Sequence, residues 1–171
     1  MVRSLLVILI PVLIVTFLFT RVPDDPVKVV DWRPVLTRAR AEAPYPVMAP
    51  TSLPEQWRPT RVTWVKAGEP YLNGEASVRN LWELGFLNPD DIYVALSQGD
   101  LQADDFVKDR SREGSADGES PLAGGTWRRL VSPDDRTRSL VLTQPGVTTV
   151  VSGDLPYEAL EAYASTLSTT V

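Results

Sequence analysis

The sequence contains no histidine and no cysteine. Without histidine there is no Ser-His-Asp or Cys-His catalysis, no histidine-ligated zinc and no imidazole pH switch. Without cysteine there are no disulfides, no thiolate metal sites and no lipid attachment through a cysteine. A domain outside the cytoplasm must then be held together by its core alone. Basic charge is scarce as well. The formal net charge is −5, and beyond residue 21 there are 15 basic against 22 acidic residues, about −7 in balance. No basic patch stands out, which argues against nucleic acid, whose affinity comes mainly from phosphate neutralisation. Attraction to anionic lipid headgroups is disfavoured on the same ground.

What is present begins with one apolar run, Ser4 to Thr20 (SLLVILIPVLIVTFLFT), 17 residues without a charge. As a helix it would be roughly 25 Å long, short against a bilayer core of about 30 Å but within range. A cleaved signal peptide needs small residues three and one before its cut, and this run closes on Phe17-Leu18-Phe19-Thr20-Arg21. A buried helix of a soluble fold would show polar positions at helical spacing, and Leu5 to Val15 shows none. Pro11 is tolerated in lipid. Residues 1–21 are therefore expected to form an uncleaved transmembrane signal anchor. Arg3 and the terminal amine precede the run, while Arg21, Asp24 and Asp25 follow it. That balance favours the N-terminus inside by a narrow margin. The expectation is a single-pass protein of the cytoplasmic membrane with its C-terminal domain outside.

Residues 22–44 are expected to be a proline-rich linker carrying one short helix. Residues 45–171 are expected to be a single extracytoplasmic domain, about 120 to 130 residues, enough for a real core. Val22 to Pro59 holds 8 of the 15 prolines, a density that favours an extended spacer. Within it, Asp31 as cap, Pro34 in the first turn and Pro44 as stop predict a helix. Its apolar side carries Trp32, Val35, Leu36, Ala39 and Ala43. Thr60 to Ala67 reads as a strand. Ala76 to Leu87 reads as one long alternating strand, with Ala76, Val78, Trp82, Leu84 and Phe86 on one face. Ser77, Arg79, Glu83 and Gly85 fall on the other. Asn88-Pro89-Asp90-Asp91 predicts a turn, and Ile92 to Gln98 the returning strand.

Asp100 to Arg112 predicts a helix capped by Asp100, with acids early and bases late. Glu113 to Gly125 is small, polar and glycine-rich, the composition of an exposed loop. Trp127 to Val131, Ser139 to Thr143 and Val147 to Ser152 predict three sequential strands. A helix then starts near Pro156, with Leu160, Tyr163, Ala164 and Leu167 on one apolar face. The fold class expected is α+β: an N-terminal transmembrane helix, then a curved, mostly antiparallel sheet. That sheet should have about six strands and two or three helices, with the C-terminal helix packed on it.

Four aspartate pairs (Asp24-Asp25, Asp90-Asp91, Asp104-Asp105, Asp134-Asp135) could suggest a metal. Three follow proline in turns and the fourth opens a helix, so turn and cap chemistry explains them all. Of the tryptophans, Trp64, Trp82 and Trp127 lie on strands and are expected in the core, while Trp57 in its proline-rich loop is expected to be the most exposed. A carboxylate pair for glycoside hydrolysis could be drawn from Glu75 and Glu83. Eight apart on one alternating strand, they would stand about 26 Å from each other, too far for one site. No Ser-Lys motif is present. No catalytic, cofactor-binding or metal-ligating residue is therefore assigned, and no enzyme is expected.

Several phrases in order, WELGFLNPDDIYVALSQGD from Trp82, Asp105-Phe106-Val107, Gly124-Gly125-Thr126-Trp127 and VVSGDLPYEALEAYASTL, resemble a known family. It is the uncharacterised actinobacterial family catalogued as domain of unknown function family 4245. The LP-x-x-W segment at Leu53 to Trp57 belongs to the same likeness. The resemblance implies a single-pass, N-terminally anchored protein, and because the family has no assigned activity, no functional residues carry over. Pro156 departs from it, standing where a Ser or Thr helix cap would be expected. The function expected is a membrane-tethered, non-enzymatic cell-envelope binding or interaction module, with the membrane and an envelope or membrane protein as partners. Two alternatives are a carrier or sensor of an apolar, lipid-like ligand and a carboxylate-dependent hydrolase. An apolar cavity above about 300 Å³ lined by the strand tryptophans would mark the carrier, and convergent carboxylates in a cleft would mark the hydrolase.

Overall fold

Strand alternation builds two unequal layers around one sheet. The computed structural model describes residues 27–170, apart from residues 73 and 123. The anchor expected over residues 1–21 lies outside them; among the described residues no helix is long and apolar enough to cross a membrane. The elements in chain order are α1 (Arg33–Glu42), β1 (Ala49–Pro50), β2 (Arg58–Val65), β3 (Leu81–Leu87), β4 (Tyr93–Gly99) and α2 (Ala103–Arg110). After these come β5 (Ser115–Leu122), β6 (Gly125–Val131), β7 (Arg138–Gln144), β8 (Val147–Gly153), α3 (Tyr157–Ser165) and β9 (Leu167–Ser168).

The main sheet has seven strands in the order β2-β3-β4-β8-β7-β6-β5, and every neighbouring pair is antiparallel. Two meanders, β2-β3-β4 and β5-β6-β7-β8, are therefore joined at β4 and β8, with α2 making the crossing. The fold is α+β, as expected, with one more strand than expected in the sheet. A second, two-stranded sheet pairs β1 with β9 and ties the segment after α3 back to the segment before β2.

On one face Trp82, Leu84, Phe86, Val94, Leu96, Leu140 and Val151 meet α1 and α3 in the larger core. Leu36 and Ala39 of α1, and Leu160, Tyr163 and Ala164 of α3, complete it. The helix placed by sequence within the linker thus shares the domain core, and Val30 N–H donates to Pro59 O at 2.9 Å beside it. On the other face Val65, Leu81, Leu130, Val141 and Val150 form a smaller core under Phe106 of α2. Being eight residues long, α2 covers part of that face and leaves the rest concave and open.

Five expectations are corrected. The long strand from Ala76 is interrupted: β3 starts at Leu81, and Val78 is 57% exposed. The Asp100 carboxylate takes the Asn80 backbone N–H at 2.9 Å and its side-chain amide at 2.5 Å, which ends the ladder there. Because Asp100 is so engaged it does not cap α2, whose N-cap is Gln102 in a left-handed conformation. Glu113 to Gly125 is not a loop throughout, since it contains the edge strand β5. An edge strand bonds one neighbour and faces water, so it needs no apolar alternation. Gly118 at φ 103° serves the register shift between Ala116 and Glu119. Finally, Trp57 is half-buried, stacked on Tyr163 at 5.4 Å between ring centres, and Leu167 leaves α3 to pair with Pro50 in the small sheet.

The end of α1 is held by a polar clasp with a measurable signature. Glu42 accepts from the Trp64 indole N–H at 3.0 Å and pairs with Lys66 at 3.1 Å and with Arg38 at 3.3 Å. These partners, the indole first, hold the Glu42 carboxyl down to about 2 from an ordinary 4.5. A folded-state value below the unfolded one gives stability that is complete above pH 4.5 and lost as pH falls toward 2. Urea midpoints measured across that window should fall with acidification, and Glu42→Gln should flatten part of the slope. An identical slope in the variant would remove the clasp from the account.

Candidate functional site

The uncovered part of the smaller face forms a cleft of about 510 Å³. Its floor is made by the residues of β3, β4 and β8 that alternate away from the main core, among them Glu83, Ala95, Ser97 and Ser152. One wall is the end of α2, with Asp109, Arg110 and the following Arg112. The opposite wall holds Arg61, Asp91, Ile92 and Tyr93, and the end is closed by Arg136, Thr137 and Asp154. Register places this mouth at the end of the sheet where Leu87 faces Tyr93, Val94 faces Gly153 and Arg58 faces Leu87. The chain enters the fold at the same end, through Val30 and Pro59.

Glu83 organises the floor. Its side chain is 8% exposed and stands between two guanidinium groups, 3.0 Å from Arg61 Nη2 and 2.7 Å from Arg110 Nη2. The Tyr71 hydroxyl donates to it at 2.6 Å and accepts from Arg61 at 3.0 Å. Burial opposes the Arg61 charge, but the Glu83 carboxylate and Tyr71 outweigh it and raise the guanidinium above its ordinary value. Burial and the bond to Glu83 push the Tyr71 phenol up. Arg110 also meets Asp109 at 3.1 Å and lies over the Phe106 ring at 5.7 Å.

Small residues shape the rest. A Cβ on Gly85 would lie 2.1 Å from the Tyr93 hydroxyl, so the missing side chain is what lets Tyr93 lie across β3 as the cleft's lip. At the far end Asp154 accepts from Thr137 Oγ1 at 2.6 Å and meets Arg136 at 3.3 Å. Asp91 is paired with Arg58. Among the described residues Arg112 has no ion-pair partner.

The residues weighed from sequence fall in scattered places. Asp24-Asp25 lie outside the described residues. Asp90-Asp91 and Asp134-Asp135 sit in turns, with Asp134 accepting from Ser132 Oγ at 2.5 Å and held below its ordinary value by that bond first. Asp104 and Asp105 open α2. Among the described residues no group of three or more acidic side chains is placed to hold a metal ion. Glu83 is in the cleft, but Glu75 lies in the connection before β3, so the single-strand spacing expected for the two does not apply. Trp64, Trp82 and Trp127 are buried in the larger core. The four arginines of the cleft were not singled out by sequence. Arg110 and Arg112 read as ordinary helix-end cations; a charged Glu83 two places before Gly85 on an otherwise buried strand was the available signal.

Chemically the cleft offers binding: fixed guanidinium donors, hydroxyls and carboxylate acceptors on a sheet floor. A family model described as "Protein of unknown function (DUF4245)" matches residues 1–167. No curated protein matches the chain.

Proposed function

Since the chain belongs to the DUF4245 family, whose activity is unassigned, we propose a role from its own geometry: a non-enzymatic binding module, tethered to a membrane by residues 1–21 and displayed outside. Its working surface is the cleft over β3, β4 and β8. The observation that carries this reading is the convergence of Arg61, Arg110, Arg112 and Arg136 on one open polar cleft with a buried carboxylate at its floor. Cleft carboxylates are taken up by arginines, at Glu83, Asp109 and Asp154, which supports binding over carboxylate catalysis. The strand tryptophans fill the larger core, which supports the module over an apolar carrier. The mouth opens at the sheet end where the chain enters, so a tethered domain would turn it toward neighbours at the bilayer.

The test uses the full chain in cells, with a photo-crosslinking phenylalanine derivative at Tyr93 on the cleft lip or at exposed Glu55 elsewhere. A membrane-fraction adduct specific to position 93, and lost with Arg110→Ala, is expected. Equal adducts at both positions, or none at 93, would sink the reading. Carbonate extraction should leave the full chain in the membrane pellet, and release would refute the tether.

A further inference from the structure

Resting on the cleft as a binding surface, we propose that its ligand presents one carboxylate, received by Arg112, and carries N–H donors alongside. Four guanidinium groups line the cleft with four carboxylates, Glu83, Asp91, Asp109 and Asp154. Asp91, however, is claimed by Arg58 from outside the lining, which leaves one guanidinium unmatched. Arg112 is that group: exposed, and without an ion-pair partner among the described residues. Its root is fixed. Arg112 and Glu113 both take left-handed conformations, φ 53° and 59°. Glu113 N–H returns to Lys108 O at 2.7 Å, and the Ser111 hydroxyl accepts from Gly114 N–H at 3.1 Å. A helix end closed in this way fixes the backbone from which the Arg112 side chain extends.

The surplus is one positive charge, which a monoanion neutralises and a dianion overshoots. Asp109 on the wall, with a side chain 71% exposed, would repel a second negative charge at close range. The planar guanidinium fork matches a carboxylate oxygen pair. Thr137 and Ser152 line the same cleft with hydroxyls, and Asp109 supplies an acceptor for an amide or ammonium on the ligand. A peptide-like acid meets both demands.

The experiment is arginine modification of the detergent-solubilised full chain by phenylglyoxal, read residue by residue by mass spectrometry. Probes are N-acetyl-dialanine, its C-terminal amide and inorganic phosphate at equal concentration. N-acetyl-dialanine should slow labelling of Arg112 by about threefold or more through charge-assisted hydrogen bonds, leaving Arg33 and Arg38 on the opposite face unchanged. The amide should not protect, and phosphate should protect less. Arg112→Gln should keep the melting temperature and weaken N-acetyl-dialanine binding about tenfold. Equal protection by the amide, stronger protection by phosphate, or no protection at Arg112 would overturn the proposal. An adduct at position 93 with an unprotected Arg112 would overturn the carboxylate while the module stands; loss of both would overturn both.

Discussion

Leu160→Asp should leave the domain without a cooperative unfolding transition at room temperature. Leu160 is fully buried in α3, among Tyr163, Ala164 and the inner residues of the sheet. Removing a leucine there forfeits about 2 to 5 kcal/mol of transfer and packing energy. The new carboxyl must then either stay ionised in an apolar layer or take up a proton far above its ordinary range, each costing several kcal/mol more. Domains of this size have a total stability of about 5 to 15 kcal/mol, so one substitution exhausts most of it. Leu160→Met keeps the volume and should cost less than about 1.5 kcal/mol. Near-ultraviolet circular dichroism and urea titration separate the two variants. A native spectrum and unchanged midpoint for Leu160→Asp would mean that α3 is not packed on the sheet.

How much of this was legible in the chain depended on whether a residue's partner was local. The β3–β4 hairpin was readable because Asn88 closes its own turn, accepting from Asp90 N–H at 2.9 Å and Ile92 N–H at 2.8 Å. The β6-β7-β8 meander and α3 announced themselves by turns and apolar period. Edge strand β5 was not readable, because its stability comes from β6 and from Ser120, whose hydroxyl meets Arg129 and Glu161. Asp100 looked like a cap, and an aspartate before a helix has that local meaning. Its partner Asn80 is 20 residues away, and tertiary pairing won. Gln98 shows the same limit. In sequence it ends a strand, whereas in the fold it is fully buried, accepting from Met48 N–H at 2.7 Å and donating to Pro46 O and Thr149 Oγ1. The cleft was the least legible part. Its charged groups come from β2, β3, the end of α2, two turns and the β8–α3 connection, and no spacing along the chain brings them together.

Glu83→Gln should lower stability while strengthening the cleft's hold on an anion, two effects of opposite sign from one atom. The carboxylate is the counter-charge of both Arg61 and Arg110, and its side chain is 8% exposed. Removing one member of a buried pair typically costs 3 to 5 kcal/mol, since the remaining charge is stranded. Here the stranded side chains are 40% and 25% exposed, so water recovers part of the loss and roughly 2 to 3 kcal/mol is expected. Arg110 would feel it more, because its Nε is buried without a partner. Arg61→Ala should cost less than Glu83→Gln, because Glu83 then keeps Arg110 and Tyr71. Urea unfolding of the two variants ranks them, and a smaller loss for Glu83→Gln would mean that the carboxylate is not the centre of the clasp. In the same variant the guanidinium pair loses its internal anion, so Arg61 and Arg110 become available to an external one. N-acetyl-dialanine should then protect Arg110 from phenylglyoxal more strongly than in the parent chain. A destabilised variant with unaltered protection would separate the clasp from the binding surface and assign Glu83 to the fold alone.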